Sequence, residues 1–450
     1  MLLVSGVFGK TFGEAERYSY LTDIMPGDWG ATNVWLDSTD CTVARGIWLA
    51  LCEDGRLVPF SERAEADDPG HALLLQAWSA ATGRRATLAD VARLNTILNT
   101  VGLVALAGLL AALRAWLTAL ALLVLGPVEY LFWMGTSPHC FIGMASLAAV
   151  LPLALLARAE GLLVRRAAAA WIAAGLMFLA CVTLVRESIG IMGLLTSLAA
   201  IAWSVFQEWR AKTPRVKTSS TVVRLASLAA VAALSFLAFE APRLAVAARN
   251  TSFDMAAAER IHRHGLSHTA YLGLGFVENS FGILYDDYFG FATARAHAPD
   301  VVLLSPEYFA LMGKLYLARV MEDPIEVARI YAVKAALMLE RPTIHPGPPL
   351  GPVVAVALAH FFALTAFGWW RRIDFRQGLV VEAVALAFLG LFVAQGMVAM
   401  PSHMYILPVN AFVLVLAGVM VESILRALLS CASLVFPSAS AGANQRRMPP

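Results

Sequence analysis

Charged side chains are scarce in this 450-residue chain, making up 15% of the sequence. Soluble domains carry about 25%, so an ordinary cytosolic enzyme is a poor fit. Disorder is excluded as well, because it requires low hydrophobicity with high net charge, and here 59% of residues are hydrophobic and the formal net charge is +2. So small a net charge leaves no electrostatic footprint for nucleic acid, and none is expected as a partner. Cysteine is sparse: there are five, with no CxxC pair and no Cys/His zinc spacing. The chain has no P-loop, no GxSxG and no usable GxGxxG. A sugar or acyl donor would therefore have to arrive on a lipid. No inverted internal repeat is visible, which counts against a secondary transporter.

What the sequence has in quantity is long apolar runs. A membrane-crossing helix needs about 20 mostly apolar residues. Nine stretches qualify, near 95–113, 115–134, 139–157, 167–185, 190–206, 225–241, 349–368, 378–399 and 404–422. The first two are separated only by Arg114 and its neighbours, which predicts a tight hairpin. The loops at 158–166, 207–224 and 371–376 are basic, carrying Arg158, Arg165 and Arg166, then Arg210, Lys212, Arg215, Lys217 and Arg224, then Arg371, Arg372 and Arg376. The positive-inside rule places all three in the cytoplasm, together with a tail over 426–450. Two long segments then face outward: 10–90, which is acidic, and 242–348, which is nearly neutral. Residues 1–9 are apolar but too short to span. They read as the remnant of a truncated first transmembrane helix or as a short reentrant segment. The expected architecture is an all-α polytopic membrane protein with about nine to ten transmembrane helices. Its units are the first outer loop (10–90), a helix bundle (91–241), an outer loop domain mixed with helices (242–348) and C-terminal helices (349–425).

The cysteines fit this layout. Cys41 and Cys52 lie in the first outer segment, where a disulfide could form. Cys140 sits near an outer helix end, and Cys181 and Cys431 read as packing residues. In the larger outer loop, Ser305-Pro306 followed by Glu307 starts a helix, and Asp323-Pro324 divides 306–341 into two helices. Their apolar faces, Leu311, Leu315 and Val320 on one and Ile330, Val333 and Leu337 on the other, are expected to rest on the membrane domain. No helical period is visible over 267–290.

Several polar constellations break the apolar pattern, and each has a plain counterpart. Glu14, Arg17 and Tyr18 share a face if their segment is helical; otherwise they belong to a solvated acidic loop. His262, His264 and His268 form no recognisable zinc set. Tyr285, Asp286 and Asp287 beside Asn279 could bind a divalent ion or sugar hydroxyls, or could be a capped turn. Arg186 and Glu187 stand at the outer end of a span, where charge is costly and functional by default. Arg186 suits a lipid phosphate, or the two form an interfacial pair. His403 and Tyr405 read as site residues or as an interfacial anchor. Glu240 and Glu382 lie within or near apolar helices and give only slight support for a proton relay.

The stretch GEAERYSYLTDIMPGDWG resembles the first outer loop of GT-C membrane glycosyltransferases such as the aminoarabinose transferases of lipid A and the protein O-mannosyltransferases. Glu14, Arg17, Tyr18 and Gly27-Asp28-Trp29 carry the resemblance. DDPGHALLLQAWSAATG, ADVARLNTILNTVGL and SHMYILPVNAF resemble later segments of the family, in the same order. The sequence departs in having Glu14 where the family usually has Asp, and Pro69-Gly70-His71 where it has Pro-Pro-Leu-Tyr. The resemblance implies a polyprenyl-phosphate sugar donor, a glycolipid, glycan or protein acceptor, and a place in the cell inner membrane. It implies Glu14 as general base, Arg186 and His403 on the donor phosphate, and Arg17, Tyr18, Asp28, Trp29 and Tyr405 in contact with substrate. Asn279, Asp286 and Asp287 would shape the acceptor site. No metal-ligating residues are assigned, and a divalent metal ion is left open as a cofactor.

Two other classes compete. An O-antigen ligase or polymerase would rely on Arg260, Arg263 and His268 in the long loop. A lipid or sugar transporter would depend little on Glu14. A membrane scaffold binding a partner is the plain alternative.

Overall fold

The computed structural model describes residues 50–53, 56–59, 74, 77–78, 81–82, 88–133, 142–210, 219–250, 265–344, 347–371, 374–401 and 407–435. Thirteen helices dominate these residues: α1 (Leu88–Ala112), α2 (Trp116–Trp133), α3 (Ile142–Ala159), α4 (Arg165–Val185), α5 (Glu187–Arg210), α6 (Ser219–Asn250), α7 (Leu266–Gly273), α8 (Asp287–His297), α9 (Pro306–Glu322), α10 (Pro324–Glu340), α11 (Leu350–Arg371), α12 (Arg376–Val398) and α13 (Asn410–Val435). Each of the nine expected spans falls on a helix. Eight are long and apolar enough to cross a membrane, while the apolar part of α2, Trp116–Glu129, is shorter. The chain is an all-α polytopic membrane protein in architecture, with one small exception.

That exception is an antiparallel hairpin, β1 (Ala50–Glu53) and β2 (Arg56–Pro59), with Cys52 opposite Leu57. Composition gave no hint of strands. The signal that was present is Asp54-Gly55 between two short runs, a dipeptide suited to a two-residue hairpin turn.

Helix α3 is the hub of the bundle, buried along nearly its whole length between α1, α4 and α5. Its approach to α1 is very close: a Cβ on Gly102 would stand 2.0 Å from the Gly143 carbonyl oxygen. Small residues allow this, as in other membrane helix pairs. At the same crossing the Asn99 side chain accepts the Gly143 N–H at 2.7 Å, satisfying one of the donors that a helix start leaves open.

The basic loops gather at one end of the bundle. Arg376 donates to the Glu160 carbonyl at 3.0 Å, and Arg426 donates to the Arg114 carbonyl at 3.3 Å. The Glu160 carboxylate accepts from Trp203 and Gln207, and Arg224 pairs with Glu208. The α1–α2 turn is as tight as expected: Arg114 adopts a left-handed backbone at φ 64°, at a cost of about 1–2 kcal/mol. Trp116, Trp209, Trp369 and Trp370 are exposed at this end, where a membrane protein places its aromatic belt.

The opposite end carries a small helical domain over 265–344. Ser305 caps α9 by accepting from the Tyr308 N–H, and Asp323 caps α10 by accepting from the Glu326 N–H. Both boundaries match the sequence reading. The helix α7 does not, since no helical period was visible there. It is only 8 residues long, too short to persist without tertiary packing. The domain also differs in where its apolar faces go. Leu311, Leu315, Val320 and Ile330 pack into a core of its own with Tyr271, Leu272 and Met312, while Met338 and Leu339 make the join to the bundle.

Candidate functional site

The polar groups at the domain end of the bundle form the candidate site, with Arg186 buried at one of its helix corners. It sits between α4 and α5 with extended backbone, φ −148° and ψ 92°. Its N–H donates to the Val182 carbonyl, and its own carbonyl accepts from the Ile189 and Gly190 N–H groups. The chain thus ends one helix and starts the next at a single residue. The corner is tight, because a Cβ on Gly190 would lie 2.4 Å from the Thr183 hydroxyl oxygen. Arg186 is only 8% exposed. Close by in sequence, the Ser188 hydroxyl is buried and has no hydrogen-bond partner among the described residues.

Glu187 is the nearest charge along the chain. Its carboxylate lies 3.8 Å from the Arg243 guanidinium, which also pairs with Glu240 at 3.0 Å. The Arg243 group lies over the Phe239 ring at 5.9 Å. Glu240 is thereby a member of an ion-paired cluster with Arg243 and Glu187. Helix α2 adds Glu129, a buried carboxylate that accepts from the Asn410 side chain at 3.2 Å. The other amide atom of Asn410, its oxygen, is buried without a hydrogen-bond partner among the described residues.

The small helical domain is joined to this end by Lys334, whose exposure is 0%. Its ammonium donates to the carbonyls of Gly273 and Ala399, each at 2.8 Å, and of Val398 at 3.3 Å. These carbonyls end α7 and α12, where helix dipoles favour a cation. Among the described residues no carboxylate neutralises it, and burial pushes its pKa down to about 7. The fit is close: a Cβ on Gly273 would stand 2.1 Å from the Val398 carbonyl oxygen. Deeper in the domain, His268 is held on both sides. Nδ1 lies 2.6 Å from the Tyr308 hydroxyl and Nε2 2.9 Å from Asp287; because an ionised carboxylate only accepts, the neutral ring carries its hydrogen on Nε2 and accepts from Tyr308 at Nδ1. Burial and the Asp287 charge raise the Tyr308 pKa, so this phenol stays protonated.

The three outer-loop residues expected at the acceptor site have visible local work. Asp286 caps α8 through Tyr288 and Phe289 N–H groups, and Asp287 pairs with His268. Asn279 closes the 277–283 loop, donating to the Val277 and Ile283 carbonyls and accepting the Ile283 N–H. Glu14, Arg17, Tyr18, Asp28, Trp29, His403 and Tyr405 lie outside the described residues, as do Arg260, His262, Arg263 and His264. Among the described residues no group of three or more His, Cys, Asp or Glu is placed to hold a metal ion.

Sequence reading passed over Lys334, Glu129, Asn410 and His360. The first had a signal: Ile330, Lys334 and Met338 recur every four residues, putting a lysine on an apolar stripe. Glu129 and His360 are single polar letters inside apolar runs. No family model, curated protein or solved structure matches this chain.

Proposed function

We propose that this protein is an integral-membrane glycosyltransferase, moving a sugar from a polyprenyl-phosphate-linked donor to an acceptor hydroxyl at the membrane surface. The observation that supports it most is Arg186, a nearly buried guanidinium at the helix corner on the domain end. A guanidinium offers a planar fork for phosphate oxygens, and a helix start adds a favourable dipole for an anion. The Ser188 hydroxyl could supply a further donor. With the basic end in the cytoplasm, this corner meets the outer leaflet, where a lipid-linked donor presents its phosphate.

In this assignment Glu14 removes the acceptor proton as general base. Arg186 and His403 steady the departing lipid phosphate electrostatically, and Arg17, Tyr18, Asp28, Trp29 and Tyr405 contact donor or acceptor. The acceptor is a glycolipid, glycan or protein, the setting is the cell inner membrane, and a divalent metal ion is left open as a cofactor. The ligase alternative is weakened at His268, because both of its ring nitrogens are engaged.

The test is reconstitution of the full-length protein in liposomes with polyprenyl-phosphate sugars and an acceptor lipid, measuring polyprenyl phosphate released. Release by wild type that Glu14→Gln abolishes and Arg186→Ala strongly reduces is the expected result. Absence of release across several donors, from protein that is folded and inserted, would overturn the assignment.

A further inference from the structure

The only buried histidine–carboxylate pair joining two spans among the described residues is His360 with Glu382, and the proposed transferase chemistry makes no use of it. His360 stands at the midpoint of the 22-residue α11, and Glu382 lies in the second turn of α12. The imidazole Nδ1 is 2.9 Å and 3.1 Å from the two carboxylate oxygens of Glu382. The Glu382 side chain is 0% exposed and that of His360 is 14% exposed. The second ring nitrogen, Nε2, is buried with no hydrogen-bond partner among the described residues.

We propose that His360 and Glu382 form an intramembrane proton-binding site, in which the carboxylate orients the imidazole and the Nε2 lone pair takes up the proton. An ionised carboxylate can only accept hydrogen bonds. It therefore draws the ring hydrogen to Nδ1 and leaves Nε2 free to act as a base. Uptake of one proton, from hydronium with release of water, makes the pair electrically neutral. This is the state that a low-dielectric setting favours. Whether the shared hydrogen then rests on Nδ1 or on the carboxylate, Nε2 carries a hydrogen in the loaded state and a lone pair in the empty one.

Among the described residues on the packed elements, no other charged group competes for the pair. Helix α11 packs on α10, α12 and α13, and α12 packs also on α3, α5, α7 and the turn Leu407–Val409. On α13, Glu422 and Arg426 pair with each other. On α10, Glu326 pairs with Arg329, Lys334 holds carbonyls at the far end of α12, and Glu340 is exposed in the last turn. His268 of α7 is paired with Asp287. The charges of α3 and α5, Arg158, Glu187, Glu208 and Arg210, stand in terminal turns. Ionisable groups placed within a span are costly and mark proton or ion paths by default. The proposal stands independently of the transferase assignment.

Solid-state NMR of full-length protein carrying isotope-labelled histidine, in lipid bilayers, tests it directly. The His360 signal is identified by its loss in His360→Gln. Between about pH 9 and about pH 5, Nε2 is expected to pass from unprotonated to protonated. In Glu382→Gln, which keeps an acceptor but loses the charge, the same change should need at least about tenfold more protons. Glu382→Asp should titrate close to wild type. The His268 signal, fixed between Tyr308 and Asp287, reports in the same spectra that the fold is intact. A wild-type Nε2 that never changes state would overturn the proposal, as would identical titration in wild type and Glu382→Gln. If Glu382→Gln does not fold, wild type and Glu382→Asp decide the question.

Discussion

The Lys334 ammonium lies 2.8 Å from the carbonyl oxygen of Ala399, at a junction where the lysine has no exposure. One side chain thus ties the small helical domain to the end of a membrane helix. Lys334→Met should loosen this join, because it strands helix-end carbonyls that the ammonium had satisfied. Hydrogen bonds to charged groups are worth about 1.5–3 kcal/mol each, and partial compensation leaves an expected loss near 3 kcal/mol. Hydrogen exchange over 266–273 should rise first.

The same residue gives the junction a pH dependence. Burial lowers its pKa from 10.5 to about 7. The unfolded state then binds the lysine proton more tightly than the folded state, so stability rises with pH between these values. Thermal unfolding in detergent should show wild type gaining stability from about pH 7 to about pH 10, with that gain absent in Lys334→Met. Equal slopes in the two proteins would contradict the assignment.

Helix crossings should answer to single methyl groups. Gly102→Ala would put a Cβ 2.0 Å from the Gly143 carbonyl oxygen, whereas a Cβ on Gly390 would meet nothing within 4 Å. Overpacking of this kind costs about 1–3 kcal/mol or more. The folded fraction recovered in detergent should fall sharply for Gly102→Ala and remain unchanged or improve for Gly390→Ala.

Tyr308→Phe should destabilise the small helical domain by about 1–3 kcal/mol, the cost of leaving a buried acceptor unpaired, here Nδ1 of His268. Asp287→Asn should cost less, since that carboxylate is half exposed and water can replace it. Denaturant unfolding of the two variants gives the comparison, and a larger effect at Asp287 would reverse the order.

In the transferase assay Arg186→Ala should lower turnover about 100- to 1000-fold, the usual effect of removing a transition-state charge stabiliser. Arg186→Lys should recover only part of it, because an ammonium keeps the charge and loses the planar fork. Full activity in Arg186→Ala would place the donor phosphate elsewhere.

The helices of the bundle were legible because a run of apolar residues long enough to span has one stable form in lipid, with every backbone group paired internally. The starts of α9 and α10 were legible because Ser305-Pro306 and Asp323-Pro324 carry their caps in sequence. Helix α7 and the strand hairpin were not found from hydrophobic period, since short elements take their stability from what they touch. At the site, the burial of Arg186 agrees with its conspicuous place at a span end. The pairing of His360 with Glu382 could not be read, because it joins different helices 22 residues apart and only packing decides which polar letters meet. Lys334 lay on a visible apolar stripe, but its acceptors are backbone atoms, which no letter of the sequence marks.

That last fact has an evolutionary corollary. The bundle's half of the Lys334 contact is made of main-chain oxygens, which every amino acid supplies. Residues 398 and 399 could therefore change identity without changing what Lys334 binds, provided the helix still ends there. A covariation search would return no partner column for the lysine. Second-site suppressors of its loss should map to nearby positions able to bring in a new cation, and not to the helix end it holds.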